Sequence, residues 1–183
     1  MQTLLDSGQI QKLVGAMADD IAADETFQLN LQNGLPFALV GIRSRGELLA
    51  LRLATELSAR TGQTSRPLDV GALDITLYRD DLAGRSAITI PQGTEMNFRL
   101  DGRAVILVDD VLATGRSVRA ALDAITDFGR PRLIKLAVLI DRGGREYPIA
   151  ADYVGLHVTE IGEEQKVVVK LKPTDEVDGV YLD

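Results

Sequence analysis

Residues 105–117 read Val-Ile-Leu-Val-Asp-Asp-Val-Leu-Ala-Thr-Gly-Arg-Ser, an order of residue types suited to phosphate and sugar chemistry. Asp109 and Asp110 are adjacent carboxylates, which repel one another unless a cation or a polyol takes up their charge. Val111, Leu112 and Ala113 join them to Thr114, Gly115, Arg116 and Ser117, a small and hydroxyl-bearing loop. From Val118 the sequence turns to helical spacing, which puts that loop at a helix N-terminus. Backbone N–H groups and the positive end of the helix dipole receive a phosphate there. The carboxylates, a loop-width away, can hold ribose hydroxyls or a hydrated magnesium ion. A plain strand–helix crossover also binds ligands at its strand end, but it does not account for two adjacent acids.

In this order the segment resembles the phosphoribosyl-pyrophosphate (PRPP) signature of type I phosphoribosyltransferases. A second glycine-bounded loop, Gly41-Ile42-Arg43-Ser44-Arg45-Gly46, then gains weight. Arg43 and Arg45 can clamp a diphosphate and Gly46 lets backbone approach closely, whereas arginines after a strand are by themselves ordinarily just solvated. A PRPP site needs two anion pockets, one for the 5′-phosphate and one for the pyrophosphate. The stretch Leu73 to Leu82 reads either as a strand and a charged turn or as the start of a lid over the ribose. A lid keeps water from an oxocarbenium-like carbon, and Arg79 would then reach the pyrophosphate. Residues 79–95 show no sustained period, so a long mobile loop is expected.

These groups need a scaffold. The apolar run before Asp109 reads as a buried parallel strand over 103–109 that ends at the acids, with a crossover helix over 117–128 closed by Gly129 and Pro131. Ile10, Leu13, Val14, Met17 and Ile21 predict a helix over about 7–23, capped by Asp6 or Ser7. Strands are expected at 37–42, 68–78, 133–141 and 152–158, a helix at 47–60 that stops before Gly62, and a final strand pair at 166–171 and 177–182. The alternation gives one α/β domain over 1–183, a mainly parallel sheet flanked by helices with a small C-terminal strand pair.

The resemblance narrows further. Gly41 to Gly46, Leu73 to Leu82, Val105 to Leu122, Leu136 to Glu146 and Ala151 to Gly155 together resemble the PyrR family of uracil phosphoribosyltransferases and pyrimidine-operon attenuators. Asp-Ile-Thr-Leu-Tyr-Arg-Asp-Asp (74–81) and Leu-Ile-Asp-Arg-Gly (139–143) are the most particular of these motifs. The resemblance spans about residues 37–156. It implies the type I phosphoribosyltransferase fold with a small hood, conversion of uracil and PRPP to UMP and pyrophosphate with Mg2+, and a homo-oligomer, dimer or tetramer. Carried over by motif, Ser44 and Arg45 contact pyrophosphate, and Asp109 to Ser117 hold ribose and 5′-phosphate. Magnesium is reached by Asp109 and Asp110 through water or ribose hydroxyls, and Arg142 lies near the base. Ala151 to Gly155 also resembles the base-stacking segment of hypoxanthine-type enzymes, or is a short edge strand; the 74–81 stretch favours uracil.

PyrR attenuators bind messenger RNA through a basic face that draws on the first helix and an Asp-Arg-Gly-His-Arg loop. This chain departs at both places. Through Gly34 its one basic side chain is Lys12, against Asp6, Asp19, Asp20, Asp24 and Glu25. Gly144 stands where that loop has histidine, and Ala150 where the family's Pro-Ile-Arg-Ala-Asp-Tyr pattern has arginine, leaving Arg142 and Arg145 of the loop's positive groups. Each lost phosphate contact weakens RNA binding, and aromatics, 4% of the chain, are too few to replace them by stacking. The expectation is an enzyme whose RNA attenuation is weakened.

Composition agrees. The 183 residues carry a net charge of −7, which disfavours a diffuse nucleic-acid surface. There is no cysteine, so disulfides and thiolate metal sites are excluded, and His157 is the one histidine, which makes Ser-His catalysis improbable. No stretch is apolar for the roughly 20 residues of a membrane span. A cytoplasmic protein is expected.

Overall fold

This computed structural model describes residues 1–35, 37–62, 68–80, 91–159, 161–162 and 165–183. A short strand, β1 (Gln2–Leu5), leads into α1 (Ser7–Ala23). Asp6 starts α1 with a capping box: its carboxylate accepts from the Gln9 N–H at 2.8 Å, and the Gln9 side chain accepts from the Asp6 N–H at 2.9 Å. Ile10, Val14, Met17 and Ile21 are buried along one face, as their spacing requires. Asp24 ends α1 and caps a second helix, α2 (Glu25–Gln32), its carboxylate accepting from Thr26 and Phe27.

The remaining elements are β2 (Phe37–Ile42), α3 (Arg45–Thr61), β3 (Asp69–Leu73), a 3-10 turn at Thr76–Tyr78, β4 (Ala104–Leu112), α4 (Arg116–Ile125) with a 3-10 turn at Thr126–Phe128, β5 (Leu133–Asp141), β6 (Tyr153–His157), β7 (Val167–Lys170) and β8 (Gly179–Leu182). Five parallel strands stand in the order β3-β2-β4-β5-β6. Successive residues of β2 and β4 face opposite sides. Leu39, Ile106 and Val108 meet α1 and α3, while Val40, Val105 and Leu107 meet α4. Leu49, Leu53 and Leu57 of α3 are fully buried against the sheet. Truncating one of them to alanine costs about 2–5 kcal/mol.

The strand order turns between β2 and β4: β2 leads outward to β3, and β4 leads the other way to β5 and β6. Their crossovers leave on opposite sides, which opens a crevice at the carboxyl ends of this pair. Gly41 of β2 lies opposite Val108 of β4, so the arginine loop and the acid pair emerge side by side at that crevice.

Several expectations need correction. The acids do not end their strand: β4 runs on to Leu112, with Asp109 opposite Val138 and Leu112 opposite Asp141 of β5. The strand expected at 68–78 stops at Leu73, because the Asp74 carboxylate accepts from the Thr76 N–H at 2.9 Å and starts a turn. The final strand pair is a three-stranded antiparallel sheet, β1-β8-β7, with β1 added along β8. No helix of the described residues is long and apolar enough to cross a membrane.

Candidate active site

Asp109 is only 7% exposed, and Asp110 is partly buried beside it. The Asp109 carboxylate accepts from the Asp110 N–H at 2.9 Å, and that of Asp110 accepts from the Val111 N–H at 2.9 Å. Burial and the neighbouring Asp110 push the Asp109 carboxyl well above the usual carboxylate range, outweighing the opposing pull of Arg79. Burial raises Asp110 as well, against the pull of the Asp109 side chain and the Arg45 charge. The pair thus offers buried oxygen donors whose charged forms burial disfavours, and a hydrated divalent cation or a ribose diol would stabilise them.

Beyond β4, Ala113, Thr114 and Gly115 carry the chain to α4. Gly115 has φ 90°, and a Cβ there would lie 3.3 Å from the side chains of Tyr147 and Ile149. The N-cap residue Gly115 has no side chain to cap α4; Thr114 Oγ1 accepts from the Arg116 N–H at 3.3 Å, and the next first-turn N–H groups take no side-chain bond from the described residues. The first turn therefore faces the crevice with the donors of an anion site. The Arg116 side chain turns elsewhere, to Glu146 at 2.8 Å from Nε and to Asp80 at 3.1 Å. Ser117 Oγ lies 3.4 Å from Arg79 Nη1, which brings the two expected contacts together.

The arginine loop touches the acid-pair strand directly. A Cβ on Gly46 would come within 2.6 Å of the Val108 oxygen, and one on Gly41 within 2.4 Å of Glu47 Cα. The Arg43–Ser44 peptide is cis. Arg43 is largely buried, 2.8 Å from Glu95 and 3.8 Å from Glu47, and its Nε has no hydrogen-bond partner among the described residues. Arg45 makes a bidentate pair with Asp175, at 3.0 and 2.9 Å. Ser44 precedes α3 without capping it.

Of the long loop expected over 79–95, residues 81–90 lie outside the described residues, and both flanks are held. Asp74 grips the returning chain, its carboxylate accepting from the Gln92 and Gly93 N–H groups while its own N–H donates to Thr94 Oγ1 at 3.0 Å. Glu95 and Ala72 exchange two backbone hydrogen bonds of 2.8 Å. Asp80, at the outgoing flank, also accepts from the Tyr147 hydroxyl at 3.2 Å.

The segment 142–147 packs under the loop after β4. The Arg142 N–H donates to the Leu112 carbonyl at 3.0 Å, and the Glu146 and Tyr147 N–H groups donate to that of Thr114. Arg142 Nε is buried with no hydrogen-bond partner among the described residues. Arg145 is fully engaged, Nη1 with the Ala113 carbonyl at 2.8 Å, Nε with the Ile149 carbonyl at 2.8 Å and Nη2 with Asp141 at 2.6 Å. Ala151 to Gly155 enters the edge strand β6. There Tyr153 is buried, its ring 5.6 Å from Lys135 Nζ, so it offers no open face for stacking on a base.

Sequence reasoning missed Asp74, Asp175 and the structural use of Arg145. Only Asp74 left a local signal, the Asp-x-Thr spacing of a side-chain turn.

The phosphoribosyl transferase domain family matches residues 3–173 of the chain. A bifunctional protein PyrR of Roseiflexus sp. (strain RS-1) is 46% identical over 181 residues, covering 98% of this chain and 93% of that protein. A bifunctional protein PyrR of Pelotomaculum thermopropionicum is 48% identical over 179 residues, with 98% and 93% covered. The hypoxanthine phosphoribosyltransferase of Trypanosoma cruzi shares the fold, with a TM-score of 0.69 at 18% identity over 100% of this chain and 95% of that one.

Proposed function

The chain belongs to the phosphoribosyl transferase domain family and, within it, to the PyrR proteins, and from that membership we propose that it converts uracil and PRPP to UMP and pyrophosphate. The observation that carries the reading is the Asp109–Asp110 pair, Asp109 buried and Asp110 partly so, one short loop from the N-terminus of α4 and in backbone contact with the arginine loop. The 74–81 motif, Asp-Ile-Thr-Leu-Tyr-Arg-Asp-Asp, supports uracil as the acceptor.

The residues divide the work. First-turn N–H groups of α4, with the hydroxyls of Thr114 and Ser117, receive the 5′-phosphate. Asp109 and Asp110 accept hydrogen bonds from the ribose hydroxyls and hold the anomeric carbon in place. Arg43, Ser44, Arg45 and Gly46 face the pyrophosphate, and Arg79 adds positive charge from beside Ser117. Uracil N1 forms a bond to the anomeric carbon as the carbon–oxygen bond to pyrophosphate breaks, and the N1 proton is released. Asp109 and Asp110 are the residues that would hold magnesium, which would supply further neutralising charge for the departing pyrophosphate. Catalysis here is positioning and electrostatics, with no covalent enzyme intermediate.

The relatives' bifunctional names favour a second reading, a UMP-responsive RNA-binding attenuator with secondary enzyme activity. The acidic α1 and the engaged Arg145 weigh against tight RNA binding. The proposed protein is a cytoplasmic homo-oligomer, dimer or tetramer, whose main activity is the enzyme's. A PRPP-dependent assay with uracil, cytosine and hypoxanthine side by side tests this reading. Uracil should be the preferred acceptor, and Asp110→Asn should lower kcat/KM by about a hundredfold, the scale of a lost positioning contact. Turnover of no base refutes the enzyme, and uracil turnover indifferent to Asp110→Asn refutes the role of the pair.

A further inference from the structure

The segment that leaves β5 lies beside the loop that leaves β4, and three successive carbonyls at the end of β4 and in that loop accept hydrogen bonds from it. The Leu112 carbonyl accepts from the Arg142 N–H at 3.0 Å, with Arg145 Nη1 3.5 Å away. That of Ala113 accepts from Arg145 Nη1 at 2.8 Å, and that of Thr114 from Glu146 and Tyr147 at 2.9 and 3.1 Å. In a trans peptide the N–H points opposite to the carbonyl of the preceding residue. Three carbonyls fixed toward the 142–147 segment therefore turn the N–H groups of Ala113, Thr114 and Gly115 the other way, away from it. Successive N–H groups on one side of a short loop make an anion-binding concavity.

One side chain holds the middle of this array. Arg145 spends Nη1 on Ala113, Nε on the Ile149 carbonyl and Nη2 on Asp141. Gly143 and Gly144 precede it with φ of 70° and 75°, which folds the chain back so that the guanidinium reaches under the loop. Burial opposes the charge of Asp141, yet Arg145 and the Gly143 N–H hold its carboxyl below the usual range.

We propose that Arg145 is a positioning residue for the 5′-phosphate pocket, acting on the carbonyl of Ala113 from behind and touching neither substrate nor nucleic acid. The assignment rests on the proposed PRPP and UMP site and adds to it a residue outside the ligand's reach.

The test compares the full-length protein with Arg145→Lys and Arg145→Ala, titrated separately with UMP and with pyrophosphate by calorimetry and assayed for PRPP KM and kcat. UMP carries the 5′-phosphate; pyrophosphate uses the arginine loop and Arg79 and not the N–H groups of the loop after β4. Arg145→Ala should weaken UMP and raise the PRPP KM by about tenfold or more, the scale for groups that orient direct ligands, while pyrophosphate affinity stays the same. Arg145→Lys, which keeps the charge but loses the fork, should fall between. Should Arg145→Ala not fold, Arg145→Lys and Gly144→Ala carry the test. A Cβ at Gly144 meets nothing within 4 Å but strains the left-handed turn, so the same selective loss is expected, smaller in size. Unchanged UMP affinity overturns the assignment, and so does an equal loss for pyrophosphate. If the unsubstituted protein binds neither UMP nor PRPP, the proposed function fails first and the assignment fails with it.

Discussion

Gly46 packs against the carbonyl of Val108 so closely that a Cβ at Gly46 would sit 2.6 Å from that oxygen and 3.2 Å from the Cα of Asp109. The arginine loop and the acid pair are therefore two sides of one seam, and neither moves without the other. The neighbour is strand backbone rather than a flexible side chain, so it has little room to give. Gly46→Ala should cost about 1–3 kcal/mol of stability, the range for overpacking a filled site. It should also lower kcat/KM for PRPP by about a hundredfold, since a shift near 1 Å between reacting groups has that effect. Thermal unfolding and steady-state kinetics measure the two, and full activity in Gly46→Ala would show that the seam does not set the site.

Arg45 and Asp175 form a fork of two hydrogen bonds that ties the start of α3 to the small antiparallel sheet. If Arg45 holds pyrophosphate, it must exchange this carboxylate for the ligand. Arg45 keeps the Asp175 carboxyl below its ordinary range, so the pair is intact above the unfolded value near pH 4 and is lost only as pH falls through the depressed value. At neutral pH the competition is complete. Asp175→Asn retains an acceptor for the Leu171 N–H but removes the charge. Pyrophosphate should then bind several-fold more tightly, against a loss of about 1 kcal/mol in stability from this partly buried pair. Calorimetric titration decides it: weaker binding in Asp175→Asn would make Arg45 an anchor of the small sheet and not a ligand.

Asp74 holds the returning flank of the loop at Gln92 and Gly93. Burial pushes its carboxyl up, but the Thr76, Gly93 and Gln92 N–H groups pull it below the ordinary range. The sign follows from the direction of the shift: the grip is full above about pH 4 and disappears as pH drops through the depressed value. In Asp74→Ala, amide exchange at Gln92 and Gly93 should quicken about tenfold or more at neutral pH, as local opening becomes easier. The wild-type protein should show the same acceleration, relative to Glu95, only in acid. Exchange rates at those two amides that match wild type at pH 7 would remove Asp74 from this role.

These three residues also mark what could be read in the sequence. Phe37 to Ile42 is apolar throughout and Leu133 to Asp141 is apolar from Leu136 to Ile140, and both are legible in the sequence because a strand buried on both faces is rich in such residues. The face of α1 was legible from Ile10 to Ile21 for the same reason, at helical period. Carboxylates resemble a strand end in sequence, whereas the ladder from β4 to β5 is made by backbone and continues through Asp109 to Leu112. β1 carries four residues and exists because β8, nearly the whole chain away, offers an edge. The second helix was missed although Asp24, with a side chain that caps it, was in plain view. The ligand-facing motifs were legible; their supports were not. Arg45 finds Asp175 130 residues on, and no local pattern encodes such a partner.

RNA binding provides the last prediction. Affinity for RNA follows the number of phosphates neutralised, and the logarithm of the binding constant falls with salt in proportion to that number. α1 brings one basic residue, Lys12, whereas Asp19 of that helix is already paired with Arg60 of α3. Of the two basic residues left after β5, Arg142 and Arg145, the second has its guanidinium turned inward onto Ala113, Ile149 and Asp141. Restoring a side chain at Gly144 would strain a backbone held at φ 75°, so the loop is not one substitution away from a basic surface. With pyrimidine-operon leader RNA at about 0.15 M salt, the dissociation constant should therefore stay in the non-specific range of about 10⁻⁶ M or weaker. Saturating UMP should not tighten it. Arg145→Ala should leave this weak binding as it is while impairing UMP affinity, since its charge is spent on the protein's own carbonyls. Nanomolar, UMP-dependent binding measured by filter retention or fluorescence anisotropy would make the attenuator reading the correct one and locate the RNA face elsewhere than α1.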